Sequence, residues 1–208
     1  MTLEKYLSKF KNSPQITLVG PFYGDVHDHV HGHVQYLEEP VIFVDDGARW
    51  RKSGEGIVVG DGDSFDGEMD VKLNPHKDFS DLAFALSPIP EHFGEVNLIG
   101  FLGGRRDHEL FNIGESHHFL RARKSPTMIK FDHAMVGYSS GQWRFERIGG
   151  FSILAVEETR VGIIGDCRYP CPQTTQFMPL SSLGLSNVGA GTICIDCDRP
   201  VFILFEEV

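Results

Sequence analysis

Four short, nearly continuous apolar runs, at residues 16–20, 41–44, 56–60 and 96–102, constrain this chain more than any other feature. A run that is apolar at every position suits a strand covered on both faces, the environment inside a parallel sheet. Helical patterns accompany the runs. In residues 79–86, Phe79, Leu82, Ala83 and Leu86 fall on one stripe, and residues 110–120 form a second helix after the last run. Strands alternating with helices predict a mainly parallel, Rossmann-like three-layer α/β sheet.

From about residue 129 the pattern changes. Strand-like segments at 128–131, 142–147, 151–156, 160–164, 192–196 and 201–205 are separated by Gly, Asn, Ser and Pro, and no helical period persists. Such a series predicts a small all-β sandwich. The basic stretch 121–126 reads as a linker, which divides the chain into an α/β domain over 1–123 and a β-sandwich over 124–208.

In an open α/β sheet, ligands bind beyond the carboxyl ends of the strands. Three of the apolar runs end in acidic or glycine-rich clusters: Asp45-Asp46-Gly47-Ala48, Asp61-Gly62-Asp63-Ser64, and Gly103-Gly104-Arg105-Arg106-Asp107-His108. A fourth cluster, Lys77-Asp78-Phe79-Ser80-Asp81, opens the helix after the second. Together they would bring Asp45, Asp61, Asp63, Asp81 and Asp107 to one sheet edge. Carboxylates crowded in this way raise one another's pKa unless a counter-charge is present. A hard, oxygen-bound cation such as magnesium relieves the repulsion beside a polyphosphate. Arg105 offers a forked donor for phosphate oxygens, and Gly103 and Gly104 let the backbone approach a ligand closely. Taken singly, Asp-Gly-Asp-Ser is a surface turn and Gly-Gly-Arg a strand-to-helix connection. The ordered set at consistent boundaries points to a site.

The formal charge of −10 on 208 residues argues against a non-specific nucleic-acid binder. No apolar run is long enough to span a bilayer, and the first eleven residues lack a signal-peptide core, so a cytoplasmic protein is expected. The spacing of Cys167, Cys171, Cys194 and Cys197 raises the question of zinc. Cys194 and Cys197, however, sit in a strand-like segment where residues three apart face opposite ways, so plain thiols are expected.

The clusters resemble those of the thiamine pyrophosphokinase family. That family carries, in order, Asp-Gly-Gly-Ala, Gly-Asp-x-Asp-Ser, Lys/Gln-Asp-x-Thr-Asp, and Gly-Gly-Arg-x-Asp-His followed by Asn. The Gly60-to-Ser64 segment and the Gly103-to-His108 segment with Asn112 match in full. The second half resembles the family at Ser152, at Tyr169 within Cys-Arg-Tyr-Pro, and at Ser186-Asn187. The likeness runs from about Val41 onward.

The resemblance implies transfer of the diphosphate of ATP to the hydroxyl of thiamine. Asp45, Asp61, Asp63, Asp81, Arg105 and Asp107 would be catalytic, with magnesium on Asp61, Asp63 and Asp81. Ser64, Lys77, Asp78, Gly103, Gly104, Arg105, His108 and Asn112 would surround the nucleotide. Ser152, Tyr169, Ser186 and Asn187 would receive thiamine, at a homodimer interface. The chain departs from the family pattern where Asp46 replaces a glycine, where Ser80 replaces Thr, and where the aromatic motif carries an extra residue. The same scaffold could act on another hydroxymethyl heterocycle, such as a pterin. A non-catalytic nucleotide- or metal-binding regulatory module would have no need of so complete a ligand set.

The family does not account for His27, His29, His31 and His33. With Val26, Val30, Val34 and Leu37 at helical spacing, these histidines form i, i+4 pairs on an expected amphipathic helix. They read either as a polar face or as a metal site. His117 and His118 are expected on the surface late in a helix.

Overall fold

The computed structural model describes residues 1–23, 37–132 and 134–206. The histidine-rich segment lies outside them. The chain forms two compact units, one of residues 1–119 with 130–132, the other of residues 120–129 with 133–208. The boundary read from sequence, 123/124, falls within the first segment of the second unit. Taken whole, the fold is a mixed α/β one dominated by sheet, with few helices.

The first unit is built on a parallel sheet. Its strands are β1 (Gln15–Val19), β2 (Val41–Val44), β3 (Ile57–Gly60), β4 (Val71–Lys72) and β5 (Glu95–Ile99), in the order β5-β1-β2-β3-β4. Thr17 aligns with Val41 on one side of β1, and Gln15 with Glu95 on the other. Every residue of β2 and β3 is buried, which explains why these strands read as unbroken apolar runs. Full burial of a side chain such as Phe43 contributes roughly 1.5–3 kcal/mol. Because all five strands run the same way, their carboxyl ends share one edge.

Helix α1 (Leu3–Leu7), capped by the Thr2 hydroxyl, was not anticipated from the sequence. Its Tyr6 hydroxyl accepts the Val41 N–H at 3.0 Å and also contacts Glu39, fixing the start of β2. Helix α2 (Asp81–Leu86) begins at Ser80, whose hydroxyl accepts the Ala83 N–H at 3.0 Å. Its buried stripe is Leu82, Ala85 and Leu86; Phe79, expected on that stripe, precedes the helix and lies exposed, stacked on Phe84. Helix α3 (Arg106–Ala122) is longer than its apolar pattern suggested. His117 on α3 is only 6% exposed, against the surface placement expected for it, whereas His118 is exposed.

The second unit is antiparallel apart from short 3-10 and helical turns. It comprises β6 (Met128–Phe131), whose last residues belong to the first unit, and β7 (Met135–Tyr138), β8 (Gly141–Ala155), β9 (Thr159–Cys167), β10 (Gln176–Phe177), β11 (Asn187–Cys197) and β12 (Val201–Phe205). The fifteen-residue β8 changes partner along its length. Residues 141–151 pair with β11 and residues 151–155 with β12, so the fully buried Phe151 faces both Asn187 and Phe205. Tyr138, Phe151, Val161, Phe177, Ile193 and Val201, one from each of the strands β7 to β12, feed one core. Cys194 and Cys197 lie on β11, as the strand reading required, and all four cysteines are free thiols. No helix among the described residues is long and apolar enough to cross a membrane.

Candidate active site: a carboxylate cluster bridged by a lysine

The carboxyl edge of the parallel sheet is drawn tight by glycines. A Cβ on Gly47 would stand 2.2 Å from the Val19 carbonyl oxygen, and one on Gly20 2.5 Å from the Gly100 carbonyl oxygen. Only glycine permits such approach between the ends of β1, β2 and β5. Asp45, the first residue beyond β2, has a φ of 51°, a left-handed conformation that aspartate tolerates better than most residues. A 3-10 helix over Asp45–Trp50 follows. Asp46, the carboxylate that stands where the family has glycine, is neutralised within this turn by Arg49, whose Nε donates to it at 2.9 Å.

Asp45 is directed inward, and its Oδ1 is buried without a hydrogen-bond partner. Burial, followed by the charges of Asp81, Asp63 and Asp61, pushes its carboxyl up to about 6. Asp61 follows β3 and accepts the Asp63 N–H at 3.1 Å. Asp81 opens α2. One carboxylate oxygen from each of Asp45, Asp61 and Asp81 lies within 4.8 Å of the others, the one such metal-competent group among the described residues.

Lys77 stands inside this group. Its Nζ lies 2.5 Å from Asp61 Oδ2 and 3.1 Å from Asp81 Oδ1, with side-chain exposures of 9%, 8% and 15% for Lys77, Asp61 and Asp81. The second contact is an ion pair at the start of α2. The Lys77 hydrogen bond holds the Asp61 carboxyl below the usual range, whereas burial raises that of Asp81 despite Lys77. Burial alone would lower the Lys77 ammonium, but its contacts with Asp61 and Asp81 raise it.

A hard divalent cation fits these residues. Oxygen ligands about 2.1 Å from magnesium lie about 3 Å apart when adjacent and about 4.2 Å apart when opposite. The cluster offers three anionic oxygen donors within 4.8 Å of one another, close to that span, and a buried oxygen on Asp45 lacking any partner. Asp63, expected from sequence among the ligands, lies outside the converging group: it is exposed, and its carboxylate accepts the Ser64 hydroxyl at 2.8 Å. Asp78 is exposed as well.

Beyond β5 the chain turns through Gly103 and Gly104, at φ of 101° and 73°. A Cβ on Gly104 would strike the Phe22 ring at 2.2 Å. The Gly103 N–H donates to the Glu109 carboxylate at 2.5 Å, a contact invisible in the sequence pattern. The Gly100 N–H likewise donates to Asp132 at 2.9 Å. Arg105 and Asp107 form a bidentate pair at 3.1 and 2.5 Å, with Arg105 71% exposed. That hydrogen-bonded pairing holds the Asp107 carboxyl down to about 2. His108 is exposed, and Asn112 donates to the Phe101 carbonyl at 2.8 Å, tying α3 to the turn.

In the second unit, the four residues singled out from sequence are joined by hydrogen bonds in two pairs. Ser152 Oγ accepts the Ser186 N–H at 3.0 Å, where Ser186 has a φ of 58°. Asn187, 4% exposed, spends its amide on the backbone of Tyr169. The Tyr169 ring is 55% exposed, with the Arg168 guanidinium 5.4 Å from its centroid.

No protein-family model matches the sequence, and no curated protein matches it. Solved structures do. Thiamine pyrophosphokinase from Bacillus subtilis aligns over 93% of this chain and 100% of its own, with a TM-score of 0.66 at 19% identity. Thiamin pyrophosphokinase from Geobacillus thermodenitrificans aligns over 93% and 98%, with a TM-score of 0.66 at 21% identity. Thiamin pyrophosphokinase from Candida albicans aligns over 97% and 91%, with a TM-score of 0.65 at 11% identity. The chain is thus similar to thiamine pyrophosphokinases through nearly its whole length, and at these identities the similarity is one of fold.

Proposed function

We propose that the chain is a thiamine pyrophosphokinase, transferring the diphosphate of ATP to the hydroxyl of thiamine. The observation that carries this reading is the convergence of Asp45, Asp61 and Asp81 around Lys77 at the carboxyl edge of a parallel sheet. The likeness in fold to named thiamine pyrophosphokinases supports the choice of ATP and thiamine as substrates. In finer architectural terms we read the first unit as Rossmann-like and three-layered, and the second as a β-sandwich.

Asp45, Asp61 and Asp81 would hold magnesium; Asp63, outside the converging group, would join them only if the loop after β3 changed its conformation. Magnesium, when bound, supplies charge neutralisation for the polyphosphate. Lys77 and Arg105 would bind phosphate oxygens, Arg105 exchanging its exposed partner Asp107 for a phosphate. Gly103 and Gly104 would bring backbone close to the nucleotide, with Ser64, Asp78, His108 and Asn112 around it. In the reaction the thiamine oxygen bonds to the β-phosphorus as the bond from that phosphorus to the α,β-bridging oxygen breaks. AMP leaves with that oxygen, and the hydroxyl proton is released. The residues' contribution is positioning and electrostatic stabilisation of the transferred group.

Tyr169 would stack on the cationic thiamine ring, a contact suited to an aromatic face. Arg168 already sits beside that ring, so a bound cation takes the other face or displaces it. Ser152, Ser186 and Asn187 would shape the loop that presents Tyr169. Exposed Met178, Leu180, Leu183 and Leu185 in the same unit give an apolar surface consistent with a homodimer. A cytoplasmic setting, where ATP and magnesium are supplied, accords with this reading.

The test is incubation of the protein with thiamine, ATP and magnesium, followed by chromatography. AMP and thiamine diphosphate should appear in equal amounts and vanish with a chelator. Turnover of ATP that requires a different hydroxymethyl heterocycle would retain the chemistry and overturn the acceptor.

A further inference from the structure

Lys77 occupies an unusual place for a lysine. Nine-tenths of its side chain is buried, and its ammonium lies between two carboxylates of a group that a divalent cation fits. Lysine shuns burial unless paired, because removing an ammonium from water is costly. Here the two ion pairs offset that cost and tie the end of β3 to the start of α2. Three carboxylates against one ammonium still leave two negative charges uncompensated. A second cation is therefore attracted to the cluster, yet it must enter beside a positive charge already in contact with two of its ligands.

We propose that Lys77 acts as a stand-in cation that makes metal binding depend on the nucleotide. In the nucleotide-free protein its ammonium holds Asp61 and Asp81 together and repels a bare divalent ion. When a polyphosphate arrives, its oxygens give the ammonium a second anionic partner. Lys77 then releases one or both carboxylates, which become free for the metal accompanying the polyphosphate. Metal and nucleotide thus bind as one unit, and the carboxylates stay compensated at each stage. This rests on the metal-site reading given above and adds an order of binding to it. Lys77 is a positioning residue in this respect, acting on the metal through Asp61 and Asp81.

A purely structural ion pair makes the opposite prediction. If Lys77 only braced the loop, its removal would loosen the carboxylates and weaken metal binding throughout.

The experiment is titration of the full-length protein with Mn2+, read by the electron paramagnetic resonance of free Mn2+, with and without a non-hydrolysable ATP analogue. The analogue arm is read against the same analogue and Mn2+ without protein, so that chelation by the analogue itself is subtracted. Wild type should bind Mn2+ weakly alone and much more tightly with the analogue. Lys77→Met should tighten nucleotide-free Mn2+ binding by about tenfold or more, since a like charge at contact distance is removed. The same variant should narrow or abolish the gain brought by the analogue. Lys77→Gln, which keeps a hydrogen-bond donor for Asp61, should change in the same direction, and Lys77→Arg should behave as wild type. Circular dichroism establishes that each variant is folded. Unchanged or weaker nucleotide-free binding in folded Lys77→Met and Lys77→Gln overturns the inference while leaving the metal site intact. Absence of Mn2+ binding by wild type even with the analogue overturns the metal-site reading, and this inference with it.

Discussion

Asn187 holds Tyr169 by its backbone: the Asn187 Nδ2 donates to the Tyr169 carbonyl and its Oδ1 accepts the Tyr169 N–H, both at 3.0 Å. The same oxygen accepts the Val188 N–H at 2.8 Å. A buried amide with three hydrogen bonds thus fixes the segment that presents an exposed aromatic ring. Its truncation removes the partner of three backbone groups, the Tyr169 N–H and carbonyl and the Val188 N–H, at a cost of about 1–3 kcal/mol for each left unsatisfied. Asn187→Ala should therefore lower thermal stability and raise the KM for thiamine several-fold, with the KM for ATP little changed. Equal increases in both would contradict a role confined to the acceptor loop.

Asp45 is a carboxylate whose surroundings oppose its charge. It is directed toward Asp61 and Asp81, and burial is the first cause of its raised pKa. Replacing it with a neutral isostere should remove function while relieving repulsion. Asp45→Asn should lose at least about a hundredfold in turnover, in keeping with losing a group that stabilises charge in the transition state. In the absence of metal and nucleotide it should be more stable than wild type, by about 1 kcal/mol after allowance for partial exposure. A variant both inactive and less stable would show that Asp45 serves the fold rather than the site.

These two residues show where sequence reading reaches and where it stops. Strands β2 and β3 were legible because burial on both faces leaves an unbroken apolar record. The clusters at their ends were legible by position. Which carboxylates turn inward was not, because the left-handed φ of Asp45 aims one inward and the turn after Asp61 leaves Asp63 exposed. Gly149 and Gly150 read as a break, yet β8 runs through them, and β7 escaped notice between its neighbours. Tyr6 fixing Val41 and His117 sinking into the unit are tertiary facts that no local period encodes.

Asp198 supplies a pH dependence away from the site. Its carboxylate accepts the Thr159 hydroxyl at 2.8 Å, the Arg160 N–H at 2.9 Å and the Arg160 Nε at 2.9 Å. Burial alone would raise its pKa, but these donors hold it down to about 2. A folded-state pKa below the unfolded value of about 3.9 means stability that is fully present above that value. It is lost as pH falls from about 4 to about 2. Asp198→Asn should be less stable than wild type at pH 7, and the difference should shrink through that window. A gap between the two melting temperatures that stays constant down to pH 2 would contradict the assignment.

The central claim, transfer of a diphosphate as one unit, is tested most directly by following label from ATP. The protein is incubated with thiamine, magnesium and ATP carrying label at either the α- or the γ-phosphate. The account predicts that γ-label moves to thiamine diphosphate while α-label stays in AMP. Transfer of γ-label into a thiamine monophosphate with ADP left behind, or its release as inorganic phosphate with no thiamine product, would contradict it.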